Sequence, residues 1–555
     1  MKRAVLLISF CLLLLCASAR AGVVTPEQAR AKAEAFFGSV STKASPSSVR
    51  LVWSEGGPVT RSSSVSSAFY VFNREGGGFV FISGESCTDA VLGYSFESSF
   101  DPGNVPAGLL DWMQDLSTHV RNAASSGISG SARTKAGAGK EIETALWAQT
   151  SPFNDQCPEY ALAGCGAVAM SIVLRAMKWP DAGVGELPSY SYEDVHSRTH
   201  VVEGYALGDA YDWDKMPLRN VTRDNAAEVA RLVRDCGVMI GSKYSYTDDG
   251  TLSYVQNIVP ALKAHMKYDG AATMRYYQFS DTYTWLEAIR SELDAGRPVL
   301  YTGGNKDGEG HAFVVDGYDS EGLLRINWGW GGNSNGYFEF PQLGDFVYGH
   351  SAVIGLRKDA GGSPQDYIAL GHIESPSTSF ATGTPFDVSF SFTNLSDVAF
   401  DGFAAVARLG DDGSVRETVS AEIPVEALAP MADFTREGVS CTIGGDIEIG
   451  DMLSVVFRRA DSDWEAMVYD YDNPGASFIF ISDAAHLDKA TRLSYDKADR
   501  SVNLSTKEGA QCTVSPEVDI ESPSDGQFRL SGFSKGRYSV TLKCGKESFT
   551  FEIVL

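Results

Sequence analysis

Basic residues are in short supply: 46 Lys and Arg stand against 71 Asp and Glu, for a formal net charge of -25. A surface of that sign repels phosphate backbones, so nucleic acid is excluded as an expected partner. Long apolar runs are scarce too. After the first residues none is long enough to span a bilayer, and no stable membrane insertion is expected. Neither His-Glu-x-x-His nor paired Cys-x-x-Cys occurs, so a metal hydrolase is poorly supported, and no cofactor and no metal are expected. Cysteine is limited to nine residues, of which Cys11 and Cys16 fall at the extreme N-terminus; the remaining seven are an odd number, so at least one thiol stays unpaired or pairs between chains.

The N-terminus has the form of an export signal. Lys2 and Arg3 are followed by an apolar run from Leu6 to Ala17, then by Ala19-Arg20-Ala21 as a small-x-small cleavage site before Gly22. Residues 1–21 are read as a signal peptide and the protein as secreted, extracellular or at the cell surface. With 555 residues the chain is too long for one core, and three or four domains of about 100–200 residues are expected. Thr25-Pro26-Glu27-Gln28 starts a helix through a capping box. Ala68–Phe72 and Phe79–Ile82 flank Gly76-Gly77-Gly78 as a hairpin, and a helix containing Leu109, Leu110, Trp112 and Met113 follows, which together make a compact α+β unit. Residues 123–140 have linker composition and carry Arg133, Lys135 and Lys140 as exposed sites for nicking. Residues 141–358 hold the richest aromatic and glycine motifs. From 365 to 484, alternation such as Phe386–Phe392 predicts an antiparallel β-sandwich, and 485–555 a small all-β domain. Within it Cys512 and Cys544 lie close enough in sequence to be candidates for a disulfide.

The chemistry concentrates in 141–358. Gly164-Cys165-Gly166 precedes a helical pattern through Val168, Ile172, Val173 and Met177 that Pro180 stops. A cysteine at a helix N-terminus gains from the dipole, which favours thiolate, the attacking species. Its backbone N–H also points where an oxyanion would form. Cys157, ahead of that turn and beside Pro158, ranks below it. Of eight histidines, His311 stands out, at a glycine turn entering the apolar strand Ala312–Val315. The next strand, Arg325-Ile326-Asn327-Trp328, is joined by a tight turn, so Asn327 or Trp328 is expected near His311. An amide oxygen there can orient the imidazole, and an indole can shield the bond from water. The chain order Cys, His, Asn matches that of papain-like enzymes.

Taken together, these motifs resemble the streptopain family of cysteine peptidases, clan-mates of papain. The resemblance rests on Gln149 with Pro152-Phe153-Asn154, on Gly164-Cys165 before the helix ending Met177-Lys178-Trp179-Pro180, and on Tyr211-Asp212-Trp213-Asp214-Lys215-Met216-Pro217. It rests further on Gly310-His311-Ala312-Phe313-Val314 and on Asn327-Trp328-Gly329-Trp330-Gly331-Gly332. It is strong over 141–358 and weaker over 22–122, which is similar to that family's inhibitory propeptide. The resemblance implies an α+β fold: a papain-like cysteine peptidase domain preceded by an α+β propeptide (22–140 with its linker) and followed by β-sandwich domains. It implies Cys165 as nucleophile, His311 as general base, Asn327 and Trp328 around the imidazole, and Gln149 as an oxyanion donor. It makes the expected partners protein or peptide substrates, with the chain's own propeptide as intramolecular inhibitor.

The last segment, with Phe528–Phe533 and Gly536–Val540, resembles the C-terminal sorting domains of Bacteroidetes-type secretion, so outer-membrane secretion machinery is a further expected partner. Two other readings compete. A catalytically inactive binding or adhesion protein on a peptidase scaffold would suit the strand-rich C-terminal half. An intracellular glutaminase-type amidotransferase also uses Cys and His, but the signal peptide argues against it.

Overall fold

The computed structural model describes residues 22–554 except 41–47, 55–56, 59–66, 106, 127–138, 195, 246–249, 305–309, 341–349, 378, 381, 411–412, 449–450, 472, 484–490, 497–500, 534–536 and 545–546. The expected signal peptide, most of the linker with Arg133 and Lys135, and Gly308-Glu309 before the histidine lie outside the described residues. The chain divides into two compact units, one reaching to Ala360 apart from Gln278–Asp281, the other formed by those four residues and Gly361–Leu555.

In the first unit, Thr25 and Gln28 close the capping box reciprocally: the Thr25 N–H donates to Gln28 Oε1 at 2.9 Å and the Gln28 N–H to Thr25 Oγ1 at 3.3 Å. The helix runs Pro26–Val40. The glycine turn joins Phe69–Arg74 to Phe79–Ser83 with Phe72 opposite Val80. Val91–Ser95 extends this sheet, and the helix Ala107–Ser126 buries Leu109, Trp112, Met113 and Leu116 against it in one shared core.

The sheet does not stop there. Val91–Ser95 pairs with Gly336–Phe338, placing Tyr94 opposite Tyr337 and Gly93 opposite Phe338. The order continues through Leu324–Asn327, Gly310–Tyr318, Val299–Gly304 and Ser351–Ile354 to Thr273–Tyr276, and the short strand Lys140–Glu141 also pairs with Gly310–Tyr318. The helix Cys165–Met177 is apolar almost all round and buries Ala167 to Leu174. Such a helix must be enclosed, and it packs against the strand Gly310–Tyr318, which brings the start of one element beside the start of the other. Among the described residues no helix is long and apolar enough to cross a membrane.

Among the described residues after Gly361, the second unit contains only strands and one short 3₁₀ turn. Ile368–Glu374, Phe386–Asn394 and Asp433–Cys441 form one sheet with Val468–Tyr469. Phe400–Leu409 and Met452–Arg458 lead the other. Inward residues of both sheets, among them Phe390, Phe392, Phe400, Val406, Val455 and Phe457, share one core, the arrangement of a sandwich. A further four-stranded and three-stranded pair encloses a smaller core around Leu504, Leu530, Val540 and Leu542. Here Cys512 faces Leu542 rather than Cys544, and both thiols are free. The antiparallel register sets them two positions out of step, so the disulfide considered from sequence is not formed.

Candidate active site

The turn before Cys165 requires its glycine. Gly164 has φ +87°, and a Cβ there would lie 2.9 Å from Thr251 Cγ2, so both backbone and space reject a side chain. Thr251 is held in place, its hydroxyl donating to the Leu162 carbonyl at 2.6 Å and accepting the Ser245 N–H at 2.9 Å. The Val168 N–H reaches the Gly164 carbonyl at 3.1 Å and closes the first helical turn. Cys165 is the first helical residue and is half-buried.

Burial alone would push the Cys165 thiol upward. A side-chain hydrogen bond from His311, the charge of that imidazole, and the backbone N–H groups of Ala312 and Gly166 outweigh it, and the pKa is lowered. Other thiols shift the opposite way. Burial drives Cys157 and Cys441 up to about 12 and Cys512 to about 11, and raises Cys236 well above its ordinary value. The same physical term acts on all of them; only Cys165 has an imidazole to reverse it.

His311 is 5% exposed. Its Nε2 pairs with the main-chain carbonyl of Trp328 at 2.9 Å, which leaves Nδ1 as the nitrogen that bonds the thiol. A carbonyl oxygen only accepts, so Nε2 carries a proton and donates. The residues expected around the ring divide their work differently from the sequence reading. The Asn327 amide does not take the imidazole bond. Its Nδ2 donates to Thr144 Oγ1 and to the Ala145 carbonyl, both at 2.9 Å, and its Oδ1 accepts the Gly329 N–H at 3.1 Å. The reason is register: Asn327 pairs with Val314, and beyond that pair the chain turns so that the next carbonyl, not the amide, meets the ring.

Trp328 contributes that carbonyl, while its indole stands one layer back. The ring beside His311 is Phe313, 6.1 Å between centroids and nearly parallel. Trp328 packs on Phe313 at 4.9 Å and is anchored by its N–H to Asn335 Oδ1 and its Nε1 to the Ser334 carbonyl, each at 3.0 Å. Gln149 lies alongside the nucleophile turn, its carbonyl accepting the Ala163 N–H at 3.0 Å, and is half-buried.

Sequence reasoning missed Phe313, Thr144 and Asp316. Asp316 has a signal: it is a lone charge inside the apolar strand Phe313–Tyr318. It occupies a β-bulge, between the pairs Val315–Ile326 and Gly317–Arg325, which turns its side chain into the interior. There its carboxylate forms an ion pair with Arg325 Nη1 at 2.8 Å and accepts a short hydrogen bond from the Thr144 hydroxyl. Burial pushes its pKa up to about 6, against the pull of Arg325 and Thr144.

The N-terminal α+β unit reaches this region from the other side. Trp112 Nε1 donates to the Glu339 carbonyl at 2.5 Å and the Glu339 N–H to the Leu92 carbonyl at 2.7 Å. The Trp112 and Phe338 rings meet at 4.9 Å, and Phe338 meets Trp328 at 5.5 Å. Tyr94 donates to Asp319 Oδ2 at 2.9 Å. Among the described residues no group of three or more His, Cys, Asp or Glu is placed to hold a metal ion.

Residues 147–338 match the model of the Peptidase C10 family, and residues 21–120 that of the Spi protease inhibitor. The chain is similar to Thiol protease/hemagglutinin PrtT of Porphyromonas gingivalis, 30% identical over 427 residues, covering 70% of this chain and 47% of that protein. It thus spans about half the length of that relative. It is also similar to streptopain of Streptococcus pyogenes, 26% identical over 329 residues, 52% of this chain and 81% of that one. Among solved structures, a prointerpain A fragment of Prevotella intermedia aligns at 25% identity and a TM-score of 0.47, over 56% of this chain and 99% of that one.

Proposed function

We propose that this chain, which carries a Peptidase C10 domain of the streptopain family behind a Spi-type inhibitor domain, is a secreted cysteine endopeptidase made as an inactive precursor. One observation carries the reading: the Cys165 sulfur, at the first residue of its helix, is hydrogen-bonded to the His311 imidazole, whose other nitrogen is held by the Trp328 carbonyl at 2.9 Å.

The chemistry follows from the geometry. The Cys165 thiolate attacks a peptide carbonyl carbon; the C–S bond forms and the carbonyl electron pair moves to oxygen. The helix-start N–H of Cys165 has no partner within its own helix and donates to that oxyanion, with the Gln149 side chain as the second donor. His311, held by the Trp328 carbonyl with Nδ1 toward the sulfur, gives its proton to the leaving amine as the C–N bond breaks. It then takes a proton from water as the water oxygen attacks the thioester carbon; the C–S bond breaks, the carboxylic acid leaves, and the Cys165 thiolate is restored beside the protonated imidazole. The Phe313 ring beside the imidazole keeps bulk water from one face of the pair. Purified Cys165→Ala should fold and cleave no casein; cleavage at the wild-type rate would overturn the assignment.

Latency is supported by the inhibitor-like unit and by its sheet pairing to Gly336–Phe338. We assign residues 22–140 as the intramolecular inhibitor, with the cut inside 123–145 and no later than residue 140, which leaves Thr144 on the released enzyme. N-terminal sequencing of active protein should give a start in that window; a start at Gly22 would refute the precursor. Export rests on residues 1–21, and the segment 485–555 is proposed as the sorting element for outer-membrane secretion. A chain truncated before residue 485 should stay inside the cell, and its appearance outside would remove that role.

A further inference from the structure

The catalytic carbonyl of Trp328 is not held by its own strand alone. Asn327 is fully buried, and each hydrogen-bonding group of its amide is assigned: Nδ2 to Thr144 and Ala145, Oδ1 from Gly329. Reversing the amide would set acceptor against acceptor at Ala145 and donor against donor at Gly329. The Gly329 N–H on Oδ1 fixes the turn in which Gly329 has φ +73°, and this turn aims the preceding carbonyl at His311. What fixes the amide in turn is Thr144. Its hydroxyl has one proton, and it gives that proton to Asp316, because an ionised carboxylate can only accept. The oxygen lone pairs of Thr144 are then left for Asn327. Arg325 Nη1 balances the buried charge. Thr144 is 3% exposed and Asp316 is fully buried, so water does not compete for these bonds.

From this chain of bonds we infer that Thr144 and Asp316 are positioning residues for the catalytic histidine, acting through Asn327 and the Trp328 carbonyl. The inference rests on the cysteine peptidase reading above. Its direction is fixed: Asp316 orients the Thr144 hydroxyl, Thr144 orients the Asn327 amide, Asn327 shapes the Trp328–Gly329 turn, and the carbonyl of that turn holds Nε2 of His311 so that Nδ1 faces the thiol. Two separate stretches of chain meet here. Thr144 lies three residues beyond the short strand Lys140–Glu141, which is itself paired to Gly317–Tyr318. Gly317 permits that close approach, since a Cβ on it would lie 2.5 Å from the Lys140 carbonyl.

The test is Thr144→Val, equal in shape and without the hydroxyl, beside Thr144→Ser, which keeps it. Each variant is expressed as the full-length chain and freed of residues 22–140 by added wild-type enzyme; alkylation of its Cys165 by iodoacetamide is then followed from mildly acidic to alkaline pH by mass spectrometry of the Cys165 peptide, and kcat and KM are measured on a peptide substrate. In Thr144→Val the rise of alkylation should move to higher pH and kcat should fall on the order of ten- to a hundred-fold with KM nearly unchanged; Thr144→Ser should restore both. A Thr144→Val protein that melts earlier but keeps the wild-type alkylation profile and kcat would overturn the role and leave the network purely structural. If Thr144→Val does not fold, Asp316→Asn carries the same readouts, and an unchanged profile there overturns the inference equally. A wild-type protein freed of residues 22–140 that is alkylated at acidic pH yet cleaves no peptide overturns the peptidase reading, and the alkylation shift then decides the positioning role by itself.

Discussion

Two regions of this molecule bury an Asp–Arg pair, and they use it differently. In the C-terminal unit, Asp451 is fully buried, with Arg408 Nη1 at 2.7 Å and Arg416 Nε at 3.3 Å, and it accepts the Glu448 N–H at 2.8 Å. Every one of those contacts serves a loop or a strand end. In the unit that reaches to Ala360, Asp316 faces Arg325 in a similar way, but its second oxygen takes the Thr144 hydroxyl, and the bonds run on to the imidazole. A buried ion pair is therefore no mark of a site. What distinguishes the two is where the remaining lone pairs of the carboxylate lead, which is a matter of hydrogen-bond direction and not of charge.

That contrast can be broken or sharpened by experiment. The largest effect belongs to Cys165→Ala, which should remove turnover altogether; a residual wild-type rate would dissolve the contrast, because no site would remain to compare. Gln149→Ala should lower kcat about a hundred- to a thousand-fold through loss of an oxyanion donor, read by steady-state kinetics. Asp451→Asn should cost about 1–3 kcal/mol of stability, since the buried Arg408 loses one of its two carboxylates and keeps Glu417, while peptide hydrolysis stays at the wild-type rate; a matching fall in kcat would erase the distinction between the pairs. The Asp316 carboxyl adds a pH signature. Its folded pKa, about 6, is raised, so the stability it confers is complete at low pH and is lost as pH rises through about 6. The stability of wild type relative to Asp316→Asn, followed by thermal melts, should therefore decline across the mildly acidic range and then level off. The smallest effect is expected for Glu97→Gln. Glu97 Oε2 lies 3.4 Å from Arg325 Nη2 and is 49% exposed, so the pair is worth about 0–1 kcal/mol, and removal of the N-terminal unit should quicken only slightly.

Much of this was legible in the sequence because it has letters of its own. The capping box of Thr25 and Gln28, the glycine hairpin, the Gly164-Cys165 turn before an apolar helix and the histidine at the mouth of a strand all appear where spacing puts them. The rest depends on atoms that have no letter. The acceptor of the imidazole bond is a main-chain carbonyl, so sequence could name Asn327 and Trp328 but not decide between side chain and backbone; register decided it. Thr144 is a lone threonine in an irregular stretch, indistinguishable by pattern from Ser151 or Thr150 nearby. Asp316 stood out as a charge in an apolar run, yet only the bulge shows that it turns inward. Nor does any residue announce that Val91–Ser95 will add itself to another sheet, because edge pairing is made by backbone groups that every residue shares.

If residues 22–140 are removed as proposed, that shared edge has a price. The strand Gly336–Phe338 loses its neighbour, and Phe338 loses the rings of Phe79, Phe81 and Trp112 that flank it. What remains is a raw margin: unsatisfied main-chain groups next to a bare aromatic face, the template on which foreign strands grow. The margin is only three residues long, which keeps it from being an effective seed. Freshly liberated enzyme should nonetheless be stickier than its parent, and its tendency to self-associate at high concentration is a property acquired at the moment of release.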